Sequence, residues 1–338
     1  MLPLALLACG KEEQSSASTA NIAAPAADPV DAALAQLAEQ AKPGTLGVMM
    51  LDLATNQARG VNADKPLPLQ SVFKLPLGIF VFHKAQQGEL KLDEKLTLTR
   101  DQLSVAHSPI ADRFDERQEY TIEELVRAAV SESDNSAADI LLKRVGGPQA
   151  LTAFFQQRGI DDFRVDRFEY ELQPQSVGLP EFKGQWVGSD AIGKARTSVP
   201  LDRQKAAMTL YLADPRDRVS AEGAVKILAL LNNGKLLSPE LTAKMMDIMK
   251  GTTTGPNRLK AGAGQGAIVY HKTGTGADVD RVNSATNDIG IIELKDGRRI
   301  AVAVLLSGST LPSEQRERII AEVGRIAATK LAAPANVP

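Results

Sequence analysis

The strand-forming patterns of this chain lie at its two ends, and helical periodicity fills most of what lies between. Residues 45–53 (TLGVMMLDL) predict an apolar strand, with 58–61 as its hairpin partner. Three more strands are expected near 266–273, 287–294 and 299–306, followed by a helix over about 313–331. Between them, apolar residues recur at helical spacing over about 71–87, 121–130, 135–145, 148–158, 221–233 and 239–250. Asp28 or Asp31 caps a first helix carrying Val30, Leu34 and Leu37, which Pro43-Gly44 ends. The reading is an α/β (α+β) fold: both chain ends build one sheet layer, and an all-helical region is inserted between them. A site in such an arrangement belongs in the crevice between the lobes.

The length of 338 residues suffices for one large domain or two intimately packed ones. With 39 basic and 41 acidic residues and no basic block, nucleic acid is not an expected partner. His83, His107 and His271 are the only histidines and show no zinc-ligand spacing, so neither a metal nor another cofactor is expected. The single cysteine, Cys9, stands in LLACG, which looks like a lipoprotein cleavage box; the plainer reading is a signal-peptide tail with an incidental Cys. Residues 1–9 are thus read as a signal remnant and 10–27, small and polar, as a flexible tether. No other stretch reaches the ~18–20 apolar residues of a membrane span.

Three short motifs carry chemistry. In Ser71-Val72-Phe73-Lys74, positions i and i+3 of a helix share a face, so the lysine can serve a serine that is a weak nucleophile alone. The helix start adds N–H groups for an oxyanion. Ser133-Asp134-Asn135 sits between two apolar helices, where it also suits a helix cap. Lys272-Thr273-Gly274-Thr275-Gly276 ends an apolar strand, and its glycines let a substrate lie against the strand edge. Each is common alone; the three in this order are not.

Together these motifs resemble the signature of class A β-lactamases and penicillin-binding proteins. Residues 164–173 (RVDRFEYELQ) resemble the Ω-loop of the lactamases through Arg167, Glu169 and Leu172, and the transpeptidases lack that glutamate. The resemblance spans nearly all of 28–333. It takes in His107-Ser108-Pro109 at the cleft mouth, Arg216-Asp217 at the far end of the loop, and the segment 253–258. The stretch from His271 to Asp288 looks closest to the PER-type and VEB-type extended-spectrum subgroup.

The implied fold is a five-stranded antiparallel sheet with flanking helices plus an inserted all-α lobe. The implied division is an α/β lobe over 28–68 and 260–333, an all-α lobe over 69–259, and a loop region over 164–217. The implied activity is hydrolysis of penicillins and cephalosporins by a monomer. Ser71 attacks the lactam carbonyl, and its proton goes to Lys74 or, through water, to Glu169. Ser133 relays a proton to the ring nitrogen, and Glu169 activates the deacylating water. Asn135 binds a substrate amide carbonyl, while Lys272, Thr273, Thr275 and Arg258 take the carboxylate; Arg281 is the alternative cation. Arg167 and Asp217 bridge the base of the loop. The expected place is the periplasm, lipid-anchored at Cys9, or else secretion. A DD-peptidase and a non-catalytic β-lactam sensor share the motifs and stand as rivals.

The chain departs from the family in four places. Gln173 replaces the usual Asn that holds the hydrolytic water. Tyr170 replaces a common Pro that is often preceded by a cis bond, which before tyrosine would cost ~3–4 kcal/mol. Asn287 stands where a basic residue is usual. Between Gln173 and Arg216 the family has a short connection, whereas 42 residues intervene here. The insert, about 174–212, carries Trp186 and a helix-like LDRQKAAMTLYLA. It is expected to project outward from a tied base, with Trp186, Met208, Leu210 and Leu212 packing on the helical lobe or roofing the cleft.

Overall fold

The computed structural model describes residues 28–188 and 191–331. The Cys9 box, the tether over 10–27 and the last expected domain residues, 332–333, lie outside the described residues. Five strands form one antiparallel sheet: β1 (Thr45–Asp52), β2 (Ala58–Val61), β3 (Ile268–Thr275), β4 (Thr286–Glu293) and β5 (Arg299–Ser307), in the order β2-β1-β5-β4-β3. The two chain ends therefore do share a sheet, with β1 pairing β5 from Thr45↔Ser307 to Asp52↔Ile300.

Side chains alternate across a strand, and β5 shows what that accomplishes. Ile300, Val302, Val304 and Leu306 face a core completed by Leu46, Val48, Met50 and two helices. These are α1 (Pro29–Gln40), capped by Asp28 at 2.8 Å from Val30 N, and α11 (Ser313–Ile326). Ala301, Ala303 and Leu305 face the other way, into the larger core of the helical lobe. The two alanines leave room for a helix to lie close, and α9 (Ala221–Asn232) packs there against β1 and β5.

The helical lobe is built around α2 (Lys74–Gln86), whose residues from Lys74 to Phe82 are all buried. A helix apolar on every side belongs in a core, and one charged residue inside it demands partners. Around it pack α3 (Ile122–Ser131), α4 (Asn135–Arg144), α5 (Gly147–Gln156) and α10 (Pro239–Lys250). The segment 164–217 is not one irregular loop. It contains α6 (Glu169–Ser176), α7 (Ala191–Thr197) and α8 (Leu201–Ala213), the last coinciding with the helix-like stretch seen in the sequence.

Two boundaries differ from the sequence reading in ways that bear on the site. The helix expected from residue 71 begins as a 3₁₀ turn, Gln70–Phe73, and becomes α-helical only at Lys74. The strand expected to stop at 273 continues through Thr275, because Gly274 and Thr275 remain paired with Asn287 and Thr286. At the C-terminal end, α11 stops at Ile326 and a wider π-type turn covers Ala327–Leu331.

Candidate active site

The 3₁₀ turn brings Ser71 and Lys74 together, since residues i and i+3 eclipse one another at three residues per turn. Lys74 Nζ donates to Ser71 Oγ at 3.1 Å, to Ser133 O at 2.8 Å and to Asn135 Oδ1 at 2.5 Å, and lies 3.2 Å from Glu169 Oε1. An ammonium has three hydrogens, so four neighbours cannot all be served at once. Glu169 Oε1 is the one left over: it is buried and accepts no hydrogen bond among the described residues. Lys74 is wholly buried and Glu169 nearly so, which strengthens every interaction between them.

Ser133 follows α3 in a left-handed backbone conformation, φ 64°, uncommon for a residue with a side chain. Asp134 holds this turn. Its carboxylate caps α4 by accepting from Ala137 N at 2.8 Å, and also accepts from Ile110 N at 2.7 Å and Ser108 Oγ at 3.0 Å. Burial pushes its pKa up, against the three donors that favour the ionised form. Asn135 opens α4, and its N–H donates to the carbonyl of His107 at 2.9 Å. The His107 imidazole itself is exposed and sits 3.1 Å from Glu132 O, so only the backbone of His107 joins the cluster.

From the sheet side, Lys272 Nζ donates to Ser133 Oγ at 3.0 Å and to Thr273 O at 2.9 Å. Lys272 is wholly buried; burial first, and the nearby Lys74 cation second, hold its ammonium well below the usual lysine range. Gly274 lies flush against the nucleophile turn: a Cβ there would come within 2.7 Å of Leu69 O. Arg258 runs behind this strand end. Its Nη1 donates to Gly274 O at 3.2 Å and Asn287 O at 2.9 Å, and its Nη2 to Thr275 Oγ1 at 2.8 Å. Glu317 partly balances its charge at 3.2 Å. Arg281, the alternative cation, is exposed in a turn between short strands at 278–279 and 282–283. Asn287 is buried and structural: its Nδ2 donates to Pro68 O and Leu69 O, fastening β4 to the approach of the nucleophile.

Glu169 opens α6. Its N–H and that of Tyr170 donate to Asp139 at 2.7 and 3.1 Å, and Ser104 Oγ donates to the same carboxylate at 2.6 Å. Burial, reinforced by the Glu169 charge, pushes Asp139 up to about 7. The Glu169–Tyr170 bond is trans; among the described residues the cis bonds are Lys42–Pro43 and Ala106–His107. Gln173 Nε2 donates to Glu169 Oε2 at 2.8 Å. At the base of the segment, Arg167 Nε meets Asp217 Oδ2 at 2.6 Å, while Arg167 Nη1 reaches Asp214 at 3.3 Å and Gln175 Oε1 at 3.0 Å. Asp217 also accepts the backbone N–H of Asp166 and Arg167, and its carbonyl accepts from Leu69 N at 2.9 Å.

The insert does not simply project outward. Trp186 packs with Val177, Leu179 and Val199, and Ala277, just past the Lys272–Gly276 motif, packs on this cluster. Met208 and Tyr211 are buried, whereas Leu210 is 72% exposed and does not pack as expected. Lys205 pairs with Asp280 at 2.6 Å, and Arg196 Nη2 donates to Asp278 O, tying the insert to the hairpin beyond β3.

The structure thus brings Ser71, Lys74, Ser133, Asn135, Glu169, Gln173, Lys272, Thr273, Thr275 and Arg258 to one crevice, with Arg167 and Asp217 behind it. It does not bring in the side chain of His107 or Arg281. Three residues at the site had escaped the sequence reading: Asp139, Gln70 and Tyr211. Asp139 had a weak signal as the lone acid inside the apolar run AADILL; the other two had none. Gln70 (45°), Ser133 (64°) and Asp217 (54°) share a left-handed φ, as do Asn56, Asn62, Asp280 and Arg281 away from the cluster.

The model of the β-lactamase enzyme family matches residues 29–331. Extended-spectrum β-lactamase PER-1 of Pseudomonas aeruginosa is 32% identical over 289 residues, covering 85% of this chain and 82% of its own length. β-Lactamase VEB-1 of the same species is 30% identical over 288 residues, 85% of each chain. The solved structure of a class A β-lactamase reconstructed as the last common ancestor of Gram-negative bacteria superposes with a TM-score of 0.70 at 32% identity, covering 88% of this chain and 97% of its own. The sheet order, the crevice and these likenesses agree: the chain belongs to the class A β-lactamase family and is similar to PER-1 and VEB-1.

Proposed function

We propose that this chain hydrolyses penicillins and cephalosporins through an acyl-enzyme on Ser71. The observation that carries the reading is Lys74, which touches Ser71 and Glu169 at once. Ser71 Oγ attacks the lactam carbonyl; its proton leaves to Lys74, once that ammonium has passed a proton to Glu169, or, through water, to Glu169 itself. Ser133, held by Lys272, gives its proton to the ring nitrogen as the C–N bond breaks and is refilled by the proton that Ser71 released, which leaves Glu169 a carboxylate again. Glu169 then takes a proton from water, whose hydroxide attacks the ester, and that proton returns to Ser71 Oγ as the ester bond breaks. Oε1 of Glu169, which accepts no hydrogen bond although Lys74 Nζ stands 3.2 Å away, is the acceptor for that water, and Gln173 steadies the other oxygen. The buried carboxylate is also what favours a hydrolase over a DD-peptidase, which has no base to clear its adduct.

The substrate carboxylate is assigned to Thr273, Thr275 and Lys272, with Arg258 supplying charge through Thr275. Arg167 and Asp217 hold the ends of the glutamate's segment together. We further propose a division into an α/β lobe (28–68 and 260–333) and an all-α lobe (69–259), and export with anchoring at Cys9. No helix of the described residues is long and apolar enough to cross a membrane.

Intact-protein mass spectrometry with benzylpenicillin tests the mechanism. The parent protein should form a penicilloyl adduct that decays, and Ser71→Ala should form none. An adduct on another serine in that variant overturns the assignment, and an adduct that never decays in the parent makes the protein a penicillin-binding peptidase or a sensor.

A further inference from the structure

We infer that Tyr211, on α8 within the insert, is a positioning residue for deacylation: its hydroxyl holds Gln70, which in turn holds Gln173 against Glu169. The inference rests on the role just proposed for Glu169. Gln70 precedes the nucleophile, is 2% exposed and has a left-handed backbone. Gln70 Nε2 donates to Tyr211 Oη at 2.6 Å. Gln173 Nε2 uses its two hydrogens on Gln70 Oε1 at 3.2 Å and Glu169 Oε2 at 2.8 Å.

The direction of this chain is forced. Gln173 must point an N–H at the Glu169 carboxylate, so its second N–H requires an acceptor, and Gln70 must present its oxygen. The Gln70 amide nitrogen then faces α8 and needs an acceptor there, which the phenol oxygen supplies. Burial drives the Tyr211 pKa upward, so the hydroxyl stays neutral at any working pH. On the sheet side the Gln70 side chain lies close against two glycines: a Cβ at Gly276 or Gly274 would stand 3.1 or 3.3 Å from its atoms. Tyr211 is fixed in its turn. Its helix ends at the Arg167–Asp214–Asp217 knot, and the Arg167 guanidinium lies 6.0 Å from its ring centroid.

A phenylalanine at 211 leaves a buried N–H without an acceptor. The amide relieves this by rotating away from Gln173, and the grip on Glu169 loosens. Tyr211→Phe should therefore slow deacylation about tenfold, while acylation stays within about twofold of the parent. The experiment is single-turnover kinetics on the full chain with a chromogenic cephalosporin, reading acylation and deacylation separately, with the acyl-enzyme fraction followed by intact mass. Gln70→Met removes the amide that needs Tyr211, so adding Tyr211→Phe to it should cost nothing further. Leu210→Ser, on the exposed face of the same helix, is the control and should leave both steps unchanged.

Unchanged deacylation in Tyr211→Phe, equal losses in both steps, or additive losses in the Gln70→Met background would each overturn the inference. Should Tyr211→Phe not fold, selective loss of deacylation in Gln70→Met supports the relay and its absence rejects it. Glu169→Gln is run alongside. If it deacylates at the parental rate, the assignment of the base has failed; if it accumulates adduct and Tyr211→Phe does not, only the relay has failed.

Discussion

Ser71 and Lys74 begin a helix that is buried on every side, whereas Glu169 sits on a segment whose own apolar cluster has four buried members, Val177, Leu179, Trp186 and Val199. The contrast extends to how each region is fastened. The nucleophile turn is clamped mainly by backbone, with the Asn287 side chain added: Leu69 N bonds Asp217 O, Leu67–Pro68 pairs with Arg218–Val219, and Gly274 presses on Leu69. The glutamate's segment is fastened by side chains: Asp139 beneath it, Gln173 beside it, and the Arg167 knot behind. Backbone and core contacts are lost only when the lobe unfolds. Side-chain polar contacts can be removed one at a time. The acylating half of the site should therefore withstand mutation better than the deacylating half.

The largest expected effect tests that division directly. Glu169→Gln should slow deacylation by at least ~10²-fold, the low end for losing a general base, while acylation proceeds. Parental turnover by this variant would remove the asymmetry altogether.

Arg167→Ala attacks the knot. Losing one partner of a buried ion pair typically costs about 3–5 kcal/mol, because the other charge is left uncompensated. Here Asp217 would lose its ion-pair partner and keep only the backbone N–H groups of Asp166 and Arg167, while Asp214 keeps Arg216, so thermal stability should drop and deacylation should fall more than acylation. Equal falls in the two rates would mean that the segment and the nucleophile turn move as one body.

Arg258→Ala tests the sheet side, where the proposed carboxylate contact would exist in ground and transition states alike. KM should rise about tenfold with kcat little changed, the size expected for one charge-assisted hydrogen bond. If Arg281→Ala raises KM and Arg258→Ala does not, the exposed arginine is the binding cation.

The smallest effect on turnover concerns Asp139, which acts on stability. Its folded pKa of about 7 lies above the ~3.9 of an unfolded Asp. The folded state thus retains a proton that the unfolded chain releases. The stability this gives is present below about pH 4 and is lost as pH rises through about 7. Asp139→Asn should flatten that slope, gaining about 2–4 °C in Tm on the parent between pH 5 and 8. Parallel Tm-against-pH curves would show that Asp139 does not carry the proton.

What the sequence determined by itself was local or periodic. The five sheet strands and the helices α1 to α5 and α9 to α11 could be read because spacing of two or 3.6 residues writes them into adjacent positions, whereas Ser71, Ser133 and Lys272 stood out through the resemblance of their motifs to a known family. The helix over Leu201–Ala213 was legible for the same reason, although what it touches was not. Only tertiary structure decided that Asp139 lies under Glu169, that Leu210 faces solvent while Tyr211 faces Gln70, and that His107 offers a carbonyl in place of a ring. Gln70 and Tyr211 are 141 residues apart, and a hydrogen bond across that distance leaves no period in either neighbourhood. Which acceptor a buried amide finds depends on how the segments close around it, because the cost of an unmade bond falls on the assembled interior and on no single stretch of chain.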